Sequence, residues 1–112
     1  RIINKIKGTV LAEDVIIANT IFKRAKGLLG KKGFKKGQAL ILKSCNSVHT
    51  LFMNFPIDVL FVDKDNRVLK ALSSVKPFRL TSIYFQASFV IELPSGTIQS
   101  TLTCKGDTLQ IF

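Results

Sequence analysis

Apolar positions along this chain fall into short runs, and most of them keep the period of a strand. The most regular run is YFQASFVIEL, residues 84–93. In it Phe85, Ala87, Phe89, Ile91 and Leu93 alternate with Tyr84, Gln86, Ser88, Val90 and Glu92. Period-two alternation places one set in a core and the other outward. It predicts a strand over 84–93, with Phe85 inward and Glu92 on the polar face, ended by Pro94, Ser95 and Gly96. QALILK (38–43) and PIDVLFVD (56–63) read as two more strands. The turn formers of DKDNR (63–67) join the second of these to RVLKAL (67–72) as a hairpin. GTVLAEDVIIA (8–18) reads as two short strands about a turn at Glu13 and Asp14. TLQIF (108–112) closes the chain as a strand after the turn KGD (105–107). Gly106 permits positive φ in that turn, and Asp107 closes it locally. RLTSIY (79–84) is a loop by composition, and TIQSTLT (97–103) suits a short helix or a strand equally.

One segment has helical spacing. In NTIFKRAKGLLGKKG (19–33), Ile21, Phe22, Ala25, Leu28 and Leu29 share a face. Asn19 or Thr20 caps it, and Gly30 or Gly33 ends it. Arg24 lies at the rim of the apolar face, where it snorkels to water or reaches inward to a carboxylate. The sum is a mainly β chain of six to eight short strands with one amphipathic helix. A sandwich or a partly closed barrel buries such faces. With 112 residues and no repeat or linker, one domain over residues 1–112 is expected.

Charge adds a second feature. The net charge is +10, from 17 basic and 7 acidic residues. Lys23, Arg24, Lys26, Lys31, Lys32, Lys35 and Lys36 form one basic block. Nucleic acid or an anionic membrane surface would be attracted to it. A solvated flank is the preferred reading, because only Phe22 and Phe34 are near enough in sequence to stack on bases. No apolar run approaches the roughly 18 residues of a membrane span, so no transmembrane segment is expected. The chain opens on Arg1 and shows no signal peptide, which leaves its compartment open. Cys45 and Cys104 are too few for a disulfide framework and read as free buried thiols.

Candidate chemistry concentrates in HTLFMNFPIDVLFVD, residues 49–63. Asp58 sits between Ile57 and Val59 in a strand that looks apolar on both faces. A carboxylate there must be paired, hydrogen-bonded or protonated. Arg24 and His49 are the candidate partners within the chain, and backbone N–H groups of the preceding loop are the architectural alternative. His49 is the only histidine, so a multi-histidine metal site is excluded, and no metal or cofactor is expected. Met53 forms an apolar cluster with Phe52 and Phe55 that something must cover. Glu92 either faces solvent or ends a polar row of Tyr84, Gln86 and Ser88 lining a groove.

TIFKRAKGLLG, CNSVHTLFMNFPIDVLFVD, VIELPSG and KGD occur in that order. The combination resembles the domain of unknown function 192 family over nearly the whole chain, from about Val10 to Ile111. The resemblance implies a compact, mainly β fold. Many relatives look exported. The family pattern falls on Arg24, Gly27, His49, Met53, Asp58, Glu92, Pro94, Gly96 and Asp107. Many relatives have a Trp-Met pair where this chain has Phe52 and Met53. The resemblance supplies no established catalytic residues.

The leading expectation is a non-catalytic binding module for a small polar or anionic ligand, built from Arg24, His49, Met53, Asp58 and Glu92. One alternative is a hydrolytic or isomerising enzyme with Asp58 or Glu92 as base, His49 as proton donor and Arg24 as anion clamp. Another is an interaction protein that uses the 23–36 block.

Overall fold

The computed structural model describes residues 1–18, 35–43, 55–76, 81 and 83–112, and eight strands and one short helix lie among them. The strands are β1 (Ile2–Asn4), β2 (Thr9–Ala12), β3 (Asp14–Ala18), β4 (Gln38–Lys43), β5 (Ile57–Val62), β6 (Val68–Val75), β7 (Phe89–Pro94) and β8 (Leu109–Ile111). The helix α1 spans Thr97–Thr101, which resolves the ambiguity of that segment. The larger sheet has the order β3-β4-β7-β5-β6, and the smaller has β2-β1-β8. Among the described strands, the β3–β4 pair is parallel and the other pairs are antiparallel. Neither sheet closes into a barrel. The mainly β reading stands.

Each face of the larger sheet has its own apolar cluster. On one face, Ala39, Ile41, Leu60, Val62, Ile91 and Leu93 meet Ile2, Leu11, Ala12 and Leu109 of the smaller sheet and Ile98 of α1. The other face carries Leu40, Leu42, Ile57, Val59, Phe61 and Val90, with Phe55 and Tyr84 packed against them. The Phe61 and Tyr84 ring centroids are 4.3 Å apart. All six residues of β5 are buried, which explains why PIDVLFVD is a nearly continuous apolar run. Burial of each large aliphatic side chain contributes about 1.5–3 kcal/mol.

Four local expectations need revision. β1 was not predicted, because IIN is too short to show a period. β2 and β3 belong to different sheets. The chain crosses between them at Glu13, where the N–H groups of Glu13 and Asp14 both donate to the Gly37 carbonyl, at 2.9 and 3.0 Å. The strand expected over 84–93 begins only at Phe89. Before it, Ala87 N–H donates to the Tyr84 carbonyl at 2.8 Å in a tight turn. This leaves Phe85 84% exposed rather than in the core. Cys104 is exposed, not a buried thiol. The helix expected over 19–33, and Cys45, lie outside the described residues.

Asp107 closes the KGD turn, as expected, and also ties the two ends of the chain together, which was not expected. Gly106 has φ 94°. The buried Asp107 Oδ2 accepts hydrogen bonds from Cys104 N–H at 3.0 Å, from Asn4 Nδ2 at 2.9 Å and from Lys7 Nζ at 3.0 Å. Asn4 Oδ1 in turn accepts the Ile6 and Lys7 N–H groups, each at 3.0 Å. Burial pushes the Asp107 carboxyl up, but the donors Asn4, Lys7 and Cys104 N–H outweigh it and hold the group below the ordinary carboxylate range. A carboxylate with a depressed folded-state pKa contributes stability above its unfolded value, and loses it as pH falls through the folded one. Asp107→Asn should therefore lower stability at pH 7 by about 2 kcal/mol. The gap from the parent should narrow as pH falls below about 4, as read from urea midpoints at pH 7 and at the lowest pH where both stay folded.

Candidate functional site

Asp58 lies opposite Leu93 in the β5–β7 pair, so its side chain points to the face that meets the smaller sheet and α1. It is fully buried. Oδ1 accepts the Ser74 N–H at 2.8 Å. Oδ2 accepts Gly96 N–H at 3.1 Å and Ile98 N–H at 2.8 Å. Among the described residues the donors come from β6 (Ser74), from the turn after β7 (Gly96) and from the start of α1 (Ile98); most of the loop preceding β5 lies outside the described residues. Local conformation aims them. Ser74 has φ 50° and Gly96 φ 98°, both in the left-handed region, and each turns its N–H toward the carboxylate. Register shifts between Ile57 and Val59 accompany the Ser74 kink. Above the same junction the Ser74 and Ser95 hydroxyls hydrogen-bond to each other. Asp58 is thus a clamp among three segments, and among the described residues its two oxygens meet three backbone amides.

Glu92 lies one position along the same ladder, opposite Val59 on β5 and Leu40 on β4. Successive residues of a strand point to opposite faces. Glu92 therefore shares its face with Leu40, Val59 and Val90, and Asp58 points the other way. The two carboxylates do not converge on one site, contrary to the grouping that the sequence suggested. Nor does Glu92 face solvent: it has 0% exposure, because β7 is an inner strand of the sheet. The polar row expected beside it does not form. Tyr84 packs on Phe61, and Gln86 and Ser88 are exposed positions before β7 begins.

Three candidates, Arg24, His49 and Met53, lie outside the described residues, as does Gly27 of the family pattern. Phe55, at the end of the segment that holds His49 and Met53, packs on the Glu92 face. No group of three or more His, Cys, Asp or Glu side chains able to hold a metal ion occurs among the described residues. A groove of about 250 Å³ passes Glu13, Lys36, Thr97 and Ser100. Its Thr97, Ser100 and Thr101 hydroxyls already donate to backbone carbonyls, so they offer little to an anion. Sequence reasoning missed buried Asn4 altogether; the signal was an amide ending an apolar triplet.

Replacing Asp58 should unfasten this junction. Asp58→Ala leaves three buried or half-buried N–H groups without an acceptor. Asp58→Asn turns one acceptor oxygen into a donor that opposes an N–H. A loss of about 3 kcal/mol or more is expected for either change, measured by urea denaturation.

The DUF192 family model, described as "Uncharacterized ACR", matches residues 2–111. A UPF0127 protein of Thermococcus sibiricus is 37% identical over 112 residues, which cover 96% of this chain and 72% of that protein. A UPF0127 protein of Pyrococcus horikoshii is 33% identical over 115 residues, covering 99% of this chain and 98% of the relative. Among solved structures, a protein of unknown function from Novosphingobium aromaticivorans aligns with a TM-score of 0.72 at 19% identity, over 87% of this chain and 74% of that one. A putative transcription regulator from Sinorhizobium meliloti aligns with a TM-score of 0.69, also at 19% identity, over 86% of this chain and 79% of the other. At that identity the likeness concerns the fold alone.

Proposed function

We propose, for a chain that belongs to the uncharacterised DUF192 family, a non-catalytic binding role in which a small polar or anionic ligand is held on the Glu92 face of the larger sheet. The observation that carries this reading is the complete burial of Glu92 among Leu40, Val59 and Val90. A carboxylate in such surroundings costs several kcal/mol unless its partners are fixed. A fold that needed only packing there would be served by an apolar residue. In this reading Arg24, His49 and Met53 complete the site around Glu92. Their place in the family pattern supports that assignment, and so does Phe55, which brings the end of their segment to the same face.

Asp58 has a different role in this proposal. It fixes the turn at Pro94, Ser95 and Gly96 from behind the sheet and touches no ligand. Its three amide partners support that structural role.

A panel of small carboxylates, phosphates and amines, screened by thermal shift and followed by calorimetry, tests the proposal. At least one class should raise the melting temperature of the parent chain. Glu92→Gln, nearly the same in shape, should keep the far-UV circular dichroism and weaken that binding at least about tenfold, or 1.4 kcal/mol. Asp58→Asn should melt lower yet keep the ligand-induced shift. Equal binding by the Glu92→Gln variant, or loss confined to Asp58→Asn, would overturn the assignment.

A further inference from the structure

The turn between β6 and β7 presents a side chain with no local reason to be there. Ala87 N–H closes the turn on the Tyr84 carbonyl, which puts Phe85 and Gln86 at its two corner positions. Corner positions favour Gly, Asn, Asp, Pro and Ser, and Phe85 there is 84% exposed. Its base is rigid, because Tyr84 packs on Phe61 and Ser88 N–H donates to the Val62 carbonyl at 2.8 Å. Beside Phe85 is an open cleft of about 440 Å³, lined by Leu69, Lys70, Tyr84, Phe85, Gln86 and Lys105. Lys70 comes from β6, and Lys105 from the turn that Gly106 N–H fastens to the Val68 carbonyl at 2.8 Å. Three separate segments thus bring an exposed ring, a primary amide and two ammonium groups to one place.

The charge around this cleft is one-sided. Of the seven acidic residues, Asp58, Glu92 and Asp107 are buried. The other four, Glu13, Asp14, Asp63 and Asp65, stand against eleven basic residues among the described ones, all exposed. The salt bridges among the described residues are Arg1 with Glu13 and Lys7 with Asp107, so neither Lys70 nor Lys105 is neutralised there.

From this juxtaposition we infer a contact site for single-stranded nucleic acid: Phe85 stacks on a base, Gln86 meets a base edge, and Lys70 and Lys105 hold adjacent phosphates. Stacking is sequence-tolerant because every base has a π-face, and lysines in a groove track the backbone. An anionic lipid surface would also attract the lysines, and exposed Ile83 would suit it. Burying Phe85 in a bilayer, however, would draw in Gln86 beside it on the turn, whose amide and backbone groups oppose entry into hydrocarbon. Leu69 and Tyr84 border the apolar cluster that holds Glu92, but Glu92 does not line this cleft, and the contact inferred here does not depend on the binding role proposed for that residue.

The chain contains no tryptophan, so Phe85→Trp gives a reporter at this position alone. The experiment is a titration of the full chain with a fluorescein-labelled dT12 strand at about 50 mM salt, followed by anisotropy. Phe85→Ala should weaken binding roughly tenfold. Phe85→Trp should restore it, with indole emission quenched and not blue-shifted on binding. Lys70→Ala with Lys105→Ala should reduce the slope of log affinity against log salt by about 1.4. Undiminished binding by the Phe85→Ala variant would overturn the inference and assign the affinity to other basic residues. No binding by the parent chain would overturn it as well. A blue shift with vesicles rich in phosphatidylserine, without quenching by the strand, would replace nucleic acid with a membrane surface.

Discussion

The carboxylate of Asp58 is the point on which the arrangement of this fold depends. It joins three stretches of chain that share no sequence neighbourhood: β5, the kinked end of β6, and the turn leading from β7 into α1. The strands would pair without it, since ladder hydrogen bonds and apolar faces suffice for that. What they would lack is a fixed partner for N–H groups that Ser74 and Gly96 turn inward by adopting positive φ. A fixed acceptor for three buried or half-buried amides makes that conformation favourable, because the amides would otherwise be desolvated without a partner. Ile98 of α1 is thereby seated in the core between the two sheets.

That clamp also separates architecture from candidate chemistry. Adjacent rungs of one ladder send Asp58 to the face shared with the smaller sheet and Glu92 to the other. The first has three amide partners among the described residues. The second sits in an apolar cluster to which the segment bearing His49 and Met53 contributes Phe55. A family pattern that names both residues therefore combines two physical demands, one for folding and one for whatever meets the Glu92 face. The same separation reaches the surface. Three carboxylates are buried while every basic residue among the described ones is exposed, and the turn at Phe85 sets an aromatic ring into that positive field.

Much of the fold was legible because it rests on local rules. QALILK is β4 without adjustment, and PIDVLFVD contains β5. DKDNR turns the chain back into β6, and Gly106 adopts the positive φ that its turn requires. The buried state of Asp58, and the need for a fixed partner, also followed from its flanks. The failures share one cause. Alternation in 84–93 suggested a ten-residue strand, yet the backbone of its first half bonds to itself, and Phe85 leaves the core. Glu92 looked solvent-facing because alternation assumes one wet face, and an inner strand covered on both sides has none.

The sequence by itself determined the mainly β class, the position of most strands and turns, and the burden placed on a carboxylate inside PIDVLF. Each is a matter of period, turn chemistry or the cost of burying charge, and each is settled within a few residues. Tertiary structure alone decided which amides meet Asp58, that Glu92 turns its back on Asp58, that Asn4 and Asp107 lock the two ends together across 103 positions, and that Phe85 stands in the open. Those outcomes depend on strand order and register, which bring distant segments together through long-range pairing that no local pattern records.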